Sequence, residues 1–524
     1  MYRIILAVLV LMLSACSSAP ATGPEAGHAL IEESAASIGG WAALDAIKGQ
    51  EILTGGSDWE PMQSMKYEGE ARQVTTFGHT VLADFENKKT RITVDSIRTF
   101  PAPGPVKFTE VIDGDTAMVQ TTDAQGKVLN ERLHPSRLAA RLRDLNRMPL
   151  RLLYVAKGAT DLSRGEDRVI DNKTYQVLNY KDGNSTVEVH IEGFNKLPAR
   201  VIYLEDDPVY GDTLNELAFS DWRDAGGGVR LPYTYELFLN GRKMREERVR
   251  TLINNPRYEE NSFTIPEDVR AQAERGERIV SQWALRRAVM GLGHQDYARE
   301  QMAVLTELAP GVFHITGSTH NSMVVEMKDH LVVVEAPLYE ERSLAVIKAI
   351  EEKFPGKPIR YLVNTHYHID HSGGIRAYAA KGATIVTHES NVAFVNEMLG
   401  RPKTARPDEL AKGGGNKAAV ESVSDVKTLT DGERTIELRQ VPNPHAEAML
   451  VAYLPNEKLL FVSDLYTPVP PPAPIDASNP NLRALVSAIT GAKLAVDRVV
   501  GGHGVVGPYR DVLRVMETPL RSGS

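Results

Sequence analysis

The stretch Thr365-His366-Tyr367-His368-Ile369-Asp370-His371-Ser372-Gly373-Gly374 constrains this chain more than any other, because it packs three imidazoles and a carboxylate into six residues directly after an apolar run. Tyr361-Leu362-Val363-Asn364 reads as a short buried strand, and Gly373-Gly374 followed by Ile375-Arg376-Ala377 reads as a loop entering a helix. The cluster therefore sits at a strand's carboxyl end, the usual place for a site in a layered α/β domain. His366 and His368 leave the same face of an extended segment and can reach one ion, while Asp370 and His371 belong to the turn and can face a second. A single histidine is more often a satisfied core residue. Clustered His and Asp with no other role are costly to desolvate, so this cluster reads as a metal site.

Downstream, three more candidates recur beside apolar runs. His445 lies in Val441-Pro442-Asn443-Pro444-His445, between two strand-like segments. Asp464 closes Leu459-Leu460-Phe461-Val462-Ser463-Asp464, and His503 follows Val499-Val500-Gly501-Gly502.

The order His-x-His-x-Asp-His, then His, then Asp, then His resembles the metallo-β-lactamase superfamily of metal-dependent hydrolases, over about residues 301–510. The resemblance implies that His366, His368 and His445 bind one zinc, that Asp370, His371 and His503 bind another, and that Asp464 bridges the pair. Iron or manganese suits the same donors. Glu335, ending Leu331-Val332-Val333-Val334-Glu335, stands where the family more often has an Asp that buttresses the site. Two such ions would lower the pKa of a bridging water towards roughly 7 and polarise the scissile bond, so no Ser or Cys nucleophile is required. Asp370 is the candidate catalytic group, accepting or shuttling the proton. Tyr466 and the pair His320-Asn321 are candidate oxyanion donors or ordinary loop residues.

The sole cysteine is Cys16, which excludes the branch with Cys in place of Asp464. The all-His/Asp set is similar to that of glyoxalase II-like thioesterases, acyl-homoserine lactonases, alkylsulfatases and phosphodiesterases. His368 disfavours the di-iron oxygen-reducing branch, where a Glu is usual. The expected activity is hydrolysis of an ester, thioester or lactone-type bond in a small-molecule substrate, with β-lactam cleavage as the competitor. A non-catalytic envelope binding or carrier lipoprotein is the alternative from another class.

At the amino terminus, Met1-Tyr2-Arg3, an apolar run from Ile4 and then Leu13-Ser14-Ala15-Cys16 read as a signal peptide, residues 1–15, ending in a lipobox. The resemblance is to bacterial lipoproteins, which implies a lipid anchor on Cys16. Residues 16–29 have the composition of a flexible tether. The expected address is the cell envelope, facing the periplasm, with Ser17 favouring the outer membrane by analogy. A net charge of −8 supplies no basic footprint for nucleic acid.

Residues 30–266 carry strand-like runs and turn punctuation, among them 65–74, 90–97, 108–119, 186–191 and 233–239, with a short helix at 29–48. Alternation such as Thr186-Val187-Glu188-Val189-His190-Ile191 predicts an antiparallel sheet with one wet face, similar to the half-barrel of periplasmic lipoprotein carriers. Residues 267–300 predict a helical connector, and 301–524 the metal domain. The expected fold class is α/β: a carboxy-terminal αββα sandwich behind a β-rich domain that acts as a binding, docking or lid module. Two loops, 401–422 and the proline-rich 467–480, are expected to shape the substrate mouth.

Overall fold

The computed structural model describes residues 22–517 apart from 102, 124, 184, 275–282, 284–285, 288–300, 416–417 and 471–478. The signal peptide, Cys16 and the start of the tether fall outside the described residues, as does most of the connector. The later part of the expected tether is ordered differently. Pro24–Ser37 is an α-helix with proline in its first turn, where a missing N–H costs nothing. The single helix expected over 29–48 is two, because Gly39 and Gly40 adopt φ of 129° and 80° before Trp41–Asp45.

The amino-terminal part is one large antiparallel sheet. Its first strand, Gly49–Glu60, pairs with Arg72–Asp84 on one side and with the last strand, Arg242–Asn254, on the other. The chain thus closes the middle of its own meander. Alternation works as expected in Ser185–Glu192, where Val187, Val189 and Ile191 are fully buried. The helix Pro149–Gly158 adds Leu152 and Ala156 to the same apolar cluster. The run 108–119 is two strands, Gly104–Asp113 and Thr116–Thr122, turning at Gly114 with φ 60°. The run 65–74 is not a strand throughout: pairing begins only at Arg72, and the residues before it leave the sheet.

The carboxy-terminal part contains two mixed sheets, of seven and six strands. Their facing sides meet in a core that includes Val332, Val334 and Val363 from one sheet and Leu438, Leu450 and Phe461 from the other. Leu331–Val334 and Leu459–Ser463 are buried along their whole length. That accounts for continuous apolar runs instead of alternation. Helices Glu340–Lys353 and Val392–Gly400 pack outside one sheet, and Pro480–Gly491 packs outside the other. The result is an αββα sandwich whose central strands run parallel in the pairs Leu331–Val334 with Ile359–Val363 and Leu459–Ser463 with Arg498–Gly501. Parallel pairing brings the carboxyl ends of these strands to one rim.

The two parts are in extensive contact. Met62 and Val209, from the amino-terminal sheet's loops, lie in the same apolar cluster as Tyr367 and Ile369. Asp212 accepts hydrogen bonds from the Thr404 and Ala405 backbone N–H groups, and its N–H donates to the Pro402 carbonyl. The start of the 401–422 loop is therefore a docking strap against the amino-terminal sheet. In the 467–480 loop, residues 471–478 lie outside the described residues, while the Pro468 carbonyl accepts from Val505 N–H beside His503.

Candidate metal centre

Each candidate ligand leaves the end of a strand or the turn beyond it. Ile359–Val363 delivers His366 to His371, Leu459–Ser463 delivers Asp464, and Arg498–Gly501 delivers His503. His445 follows Thr435–Gln440 through a turn in which the Asn443 side chain accepts the His445 and Ala446 N–H groups. Two residues leave their strands in the left-handed region, Glu335 at φ 68° and Ser463 at φ 49°. Such conformations cost about 1–3 kcal/mol and persist where surrounding contacts hold them.

The structure brings all seven sequence-predicted ligands together. His366, His368 and His445 place one ring nitrogen each within 4.8 Å of one another. His320, Asp370, His371 and His503 form a second such group. Asp464 lies between them, with Oδ2 3.3 Å from His445 Nε2 and Oδ1 3.0 Å from His371 Nε2 and 3.3 Å from His503 Nε2.

The hydrogen bonds around the rim fix which nitrogen faces inward. Thr365 donates its hydroxyl to Glu335 Oε1, so its oxygen accepts from His366 Nδ1 at 3.0 Å. His371 Nδ1 lies 2.8 Å from Glu335 Oε2, and His503 Nδ1 lies 3.0 Å from the Thr319 carbonyl. His368 Nε2 lies 2.9 Å from the Ser64 carbonyl, which can only accept. His366 and His368 therefore carry their proton on the outward nitrogen and present a lone pair inward, the tautomer a metal requires, while His371 and His503 are tied at Nδ1 and turn Nε2 inward. His366 Nε2 and His368 Nδ1 are buried with no hydrogen-bond partner among the described residues, and His371 Nε2 and His445 Nε2 are buried against the Asp464 carboxylate. Buried nitrogen and carboxylate oxygen donors turned on one space are a donor set that suits zinc.

The two groups differ in charge. Burial, followed by the neighbouring imidazoles, holds His366 well below the usual histidine range, and burial with His445 pushes His368 down to about 3. Burial also opposes charge on His371, yet the carboxylates of Asp464, Glu335 and Asp370 hold it well above its usual value. Burial likewise disfavours charge on Asp370 and Asp464, and His371 more than offsets it, keeping both well below the carboxylate range. The three-histidine group is thus neutral, and the other gathers the charged groups, the Asp370 and Asp464 carboxylates together with His371.

Other sequence candidates fall differently. His320 joins the second group, its Nε2 3.4 Å from Asp370 Oδ2 and its ring centroid 4.1 Å from that of His503. Asn321 is not an oxyanion donor: its amide donates to the Gly501 and Gly504 carbonyls and fixes the His503 turn. Tyr466 packs against the helix-side cluster containing Leu482 and Tyr509. Glu335 is fully buried and holds His371, Thr365 and Ser463 at once, with Ser463 donating to it at 2.5 Å. It is the buttress in longer form. Gly502 allows the His503 turn to approach, since a Cβ there would meet His371 Cε1 at 2.9 Å.

Sequence reasoning missed the amino-terminal contributors. Gln63 donates its side-chain amide to Asp370 Oδ1 at 2.6 Å, and Phe100 sets its ring 5.3 Å from that of His445 and 6.1 Å from that of His368. Nothing in the local pattern of either segment signals a site.

Residues 315–503 match the family model of the metallo-beta-lactamase superfamily. Two curated relatives, each a "Metallo-beta-lactamase type 2", come from Bacillus sp. (strain 170), 28% identical, and Bacillus cereus, 27% identical. Each alignment covers 157 residues, 30% of this chain and 54% of the relative, so the chain spans about half the length of the curated relatives it matches. Solved structures similar in fold include a metallo-beta-lactamase from Pontibacter korlensis, at 19% identity and TM-score 0.32, covering 42% of this chain and 100% of that one. Another is the mono-zinc form of FIM-1 from Pseudomonas aeruginosa, at 16% identity and TM-score 0.31, covering 41% and 94%. The family-model match over residues 315–503, set in the αββα sandwich, makes the carboxy-terminal part of the chain a metallo-β-lactamase superfamily domain.

Proposed function

We propose that the protein is a binuclear zinc-dependent hydrolase of small molecules, anchored through Cys16 and facing the periplasm. The observation that carries this reading is the convergence of His366 Nε2, His368 Nδ1, His371 Nε2, His445 Nε2 and the Asp464 carboxylate on one buried space, with the His366, His368 and His371 rings oriented from outside. His366, His368 and His445 would hold one ion, Asp370, His371 and His503 the other, and Asp464 both. When bound, the ions would supply a water of lowered pKa and an electrophile for the substrate's carbonyl oxygen.

The chain's own groups do the rest. Asp370 accepts the proton that the attacking water loses, at a carboxylate held between Gln63 and His320. Glu335 keeps the His371 ring in register, and burial of nearly every ligand side chain excludes competing water. The all-His/Asp donor set favours an ester, thioester or lactone-type bond. A β-lactam is the second reading, supported by the printed names of the two Bacillus relatives.

Metal analysis of the soluble form lacking Cys16, with initial rates on a lactone, a thioester, an ester and a β-lactam, tests both readings. Near two metals per chain, with one bond class turned over and lost in His366→Ala, is the expected result. Near-zero metal and no turnover after zinc reconstitution would overturn the hydrolase in favour of a binding lipoprotein.

A further inference from the structure

The chain between Glu60 and Arg72 leaves the amino-terminal sheet and turns at Pro61–Gln63 against the rim of the metal domain. Two consecutive residues of this turn touch one candidate ligand from each group. The Ser64 carbonyl meets His368 Nε2 at 2.9 Å, and the Gln63 amide meets Asp370 Oδ1 at 2.6 Å. Gln63 is 1% exposed, and its Oε1 is buried with no hydrogen-bond partner among the described residues. One end of the amide is therefore committed to Asp370, and the other keeps an acceptor for a water or substrate donor.

The turn is fastened from both sides. Within it, Ser64 Oγ donates to the Pro61 carbonyl at 2.6 Å, and Met62 N–H donates to Glu60 Oε1 at 3.1 Å. From the metal domain, Tyr367 donates its hydroxyl to the Ser64 carbonyl, and Glu447 N–H donates to the Met65 carbonyl at 2.7 Å. Behind it, Glu60 is paired with Arg286 and Arg287. Met62 fills the core beneath, 1% exposed.

We propose that this turn is a built-in part of the metal centre: Gln63 is a positioning residue for Asp370, and the Ser64 carbonyl sets the His368 tautomer. The amino-terminal domain then completes the centre in cis. This inference rests on the two-metal reading. Gln63 orients a carboxylate of the Asp370–His371–His503 group and touches no member of the three-histidine group. Its loss acts on one ion and spares the other.

The test is metal affinity of the full chain, by chelator competition for zinc and by the absorption spectrum of the cobalt-loaded form, in wild type, Gln63→Met and Gln63→Ala. Partners one shell beyond the metal carry about 10–100-fold in affinity. The expected result is a second equivalent bound about 10–100-fold more weakly in both variants. The first equivalent is unchanged, and the cobalt bands change only as the second equivalent is added. Gln63→Met keeps the side-chain volume, and far-UV circular dichroism of the metal-free form checks its folding. Two equivalents bound as in wild type by either folded variant would overturn the positioning role, as would equal weakening of both. Wild type that takes up no metal would instead overturn the hydrolase reading itself.

Discussion

The metal domain and the amino-terminal sheet contribute to the same centre in opposite ways. In the metal domain, every candidate ligand stands at the end of an apolar strand or in the turn beyond it, so strand position and site position coincide. In the amino-terminal domain, the contributing residues stand where the strand pattern fails, between Glu60 and Arg72 and at Phe100 just past Lys89–Arg98. A regular element can place a side chain only along its own face. Gln63 reaches Asp370, 307 residues away in sequence, from a stretch that has left its ladder.

The largest test of this contrast is His366→Ala. It removes a candidate ligand from the three-histidine group, so metal at that group and turnover should fall by more than the roughly 100-fold that outer partners carry; metal content and rates read this directly. Glu335→Ala comes next. It frees His371 and leaves the hydroxyls of Thr365 and Ser463 without their buried acceptor. We expect about 2–4 kcal/mol lost in denaturant unfolding and about 10–100-fold weaker metal binding. Loss of stability with unchanged metal affinity would make Glu335 a purely structural residue.

Acid should separate the domains through two buried histidines. Burial alone pushes His314, in the metal domain, down to about 4, and burial with Arg245 and Arg141 holds His79, in the amino-terminal sheet, well below its usual value. Both folded pKa values are depressed, so the unfolded chain binds more protons below about pH 6.5. The stability contributed by keeping His314 neutral is full above about pH 6.5 and is lost progressively down to about pH 4, up to about 3 kcal/mol. His314→Gln should flatten the metal domain's unfolding free energy between pH 7 and pH 4.5 and leave the sheet's unchanged; His79→Gln should do the reverse.

The smallest effect is expected at the docking strap. Asp212→Ala removes the acceptor of the Thr404 and Ala405 N–H groups at a half-exposed position, at a cost of about 1 kcal/mol in thermal unfolding. If metal affinity falls with it, the strap and the centre are coupled.

Much of the site was legible because its chemistry needs particular residue types in a short span. His366, His368, Asp370 and His371 come from six residues, and a turn after a buried strand can hold them in only a few ways. The helix break at Gly39-Gly40 and the hairpin at Gly114 were written in the sequence as glycine at positive φ, and reading 29–48 and 108–119 as continuous elements passed over those signals. Asn321 was another matter. An amide beside a histidine reads equally as an oxyanion donor or a turn clamp, and only the Gly501 and Gly504 carbonyls decide between them.

The sequence by itself determined the sandwich and named its candidate ligands, because buried parallel strands and metal ligands each demand residue types that few other structures tolerate. Only the tertiary structure decided that Gln63, Ser64 and Phe100 stand at the centre, that Glu335 holds three partners at once, and that the 401–422 loop begins as a docking strap. The reason is physical. A backbone carbonyl has no sequence signature, and a glutamine or phenylalanine acquires its role only from what folding places within hydrogen-bond or ring-contact distance of it.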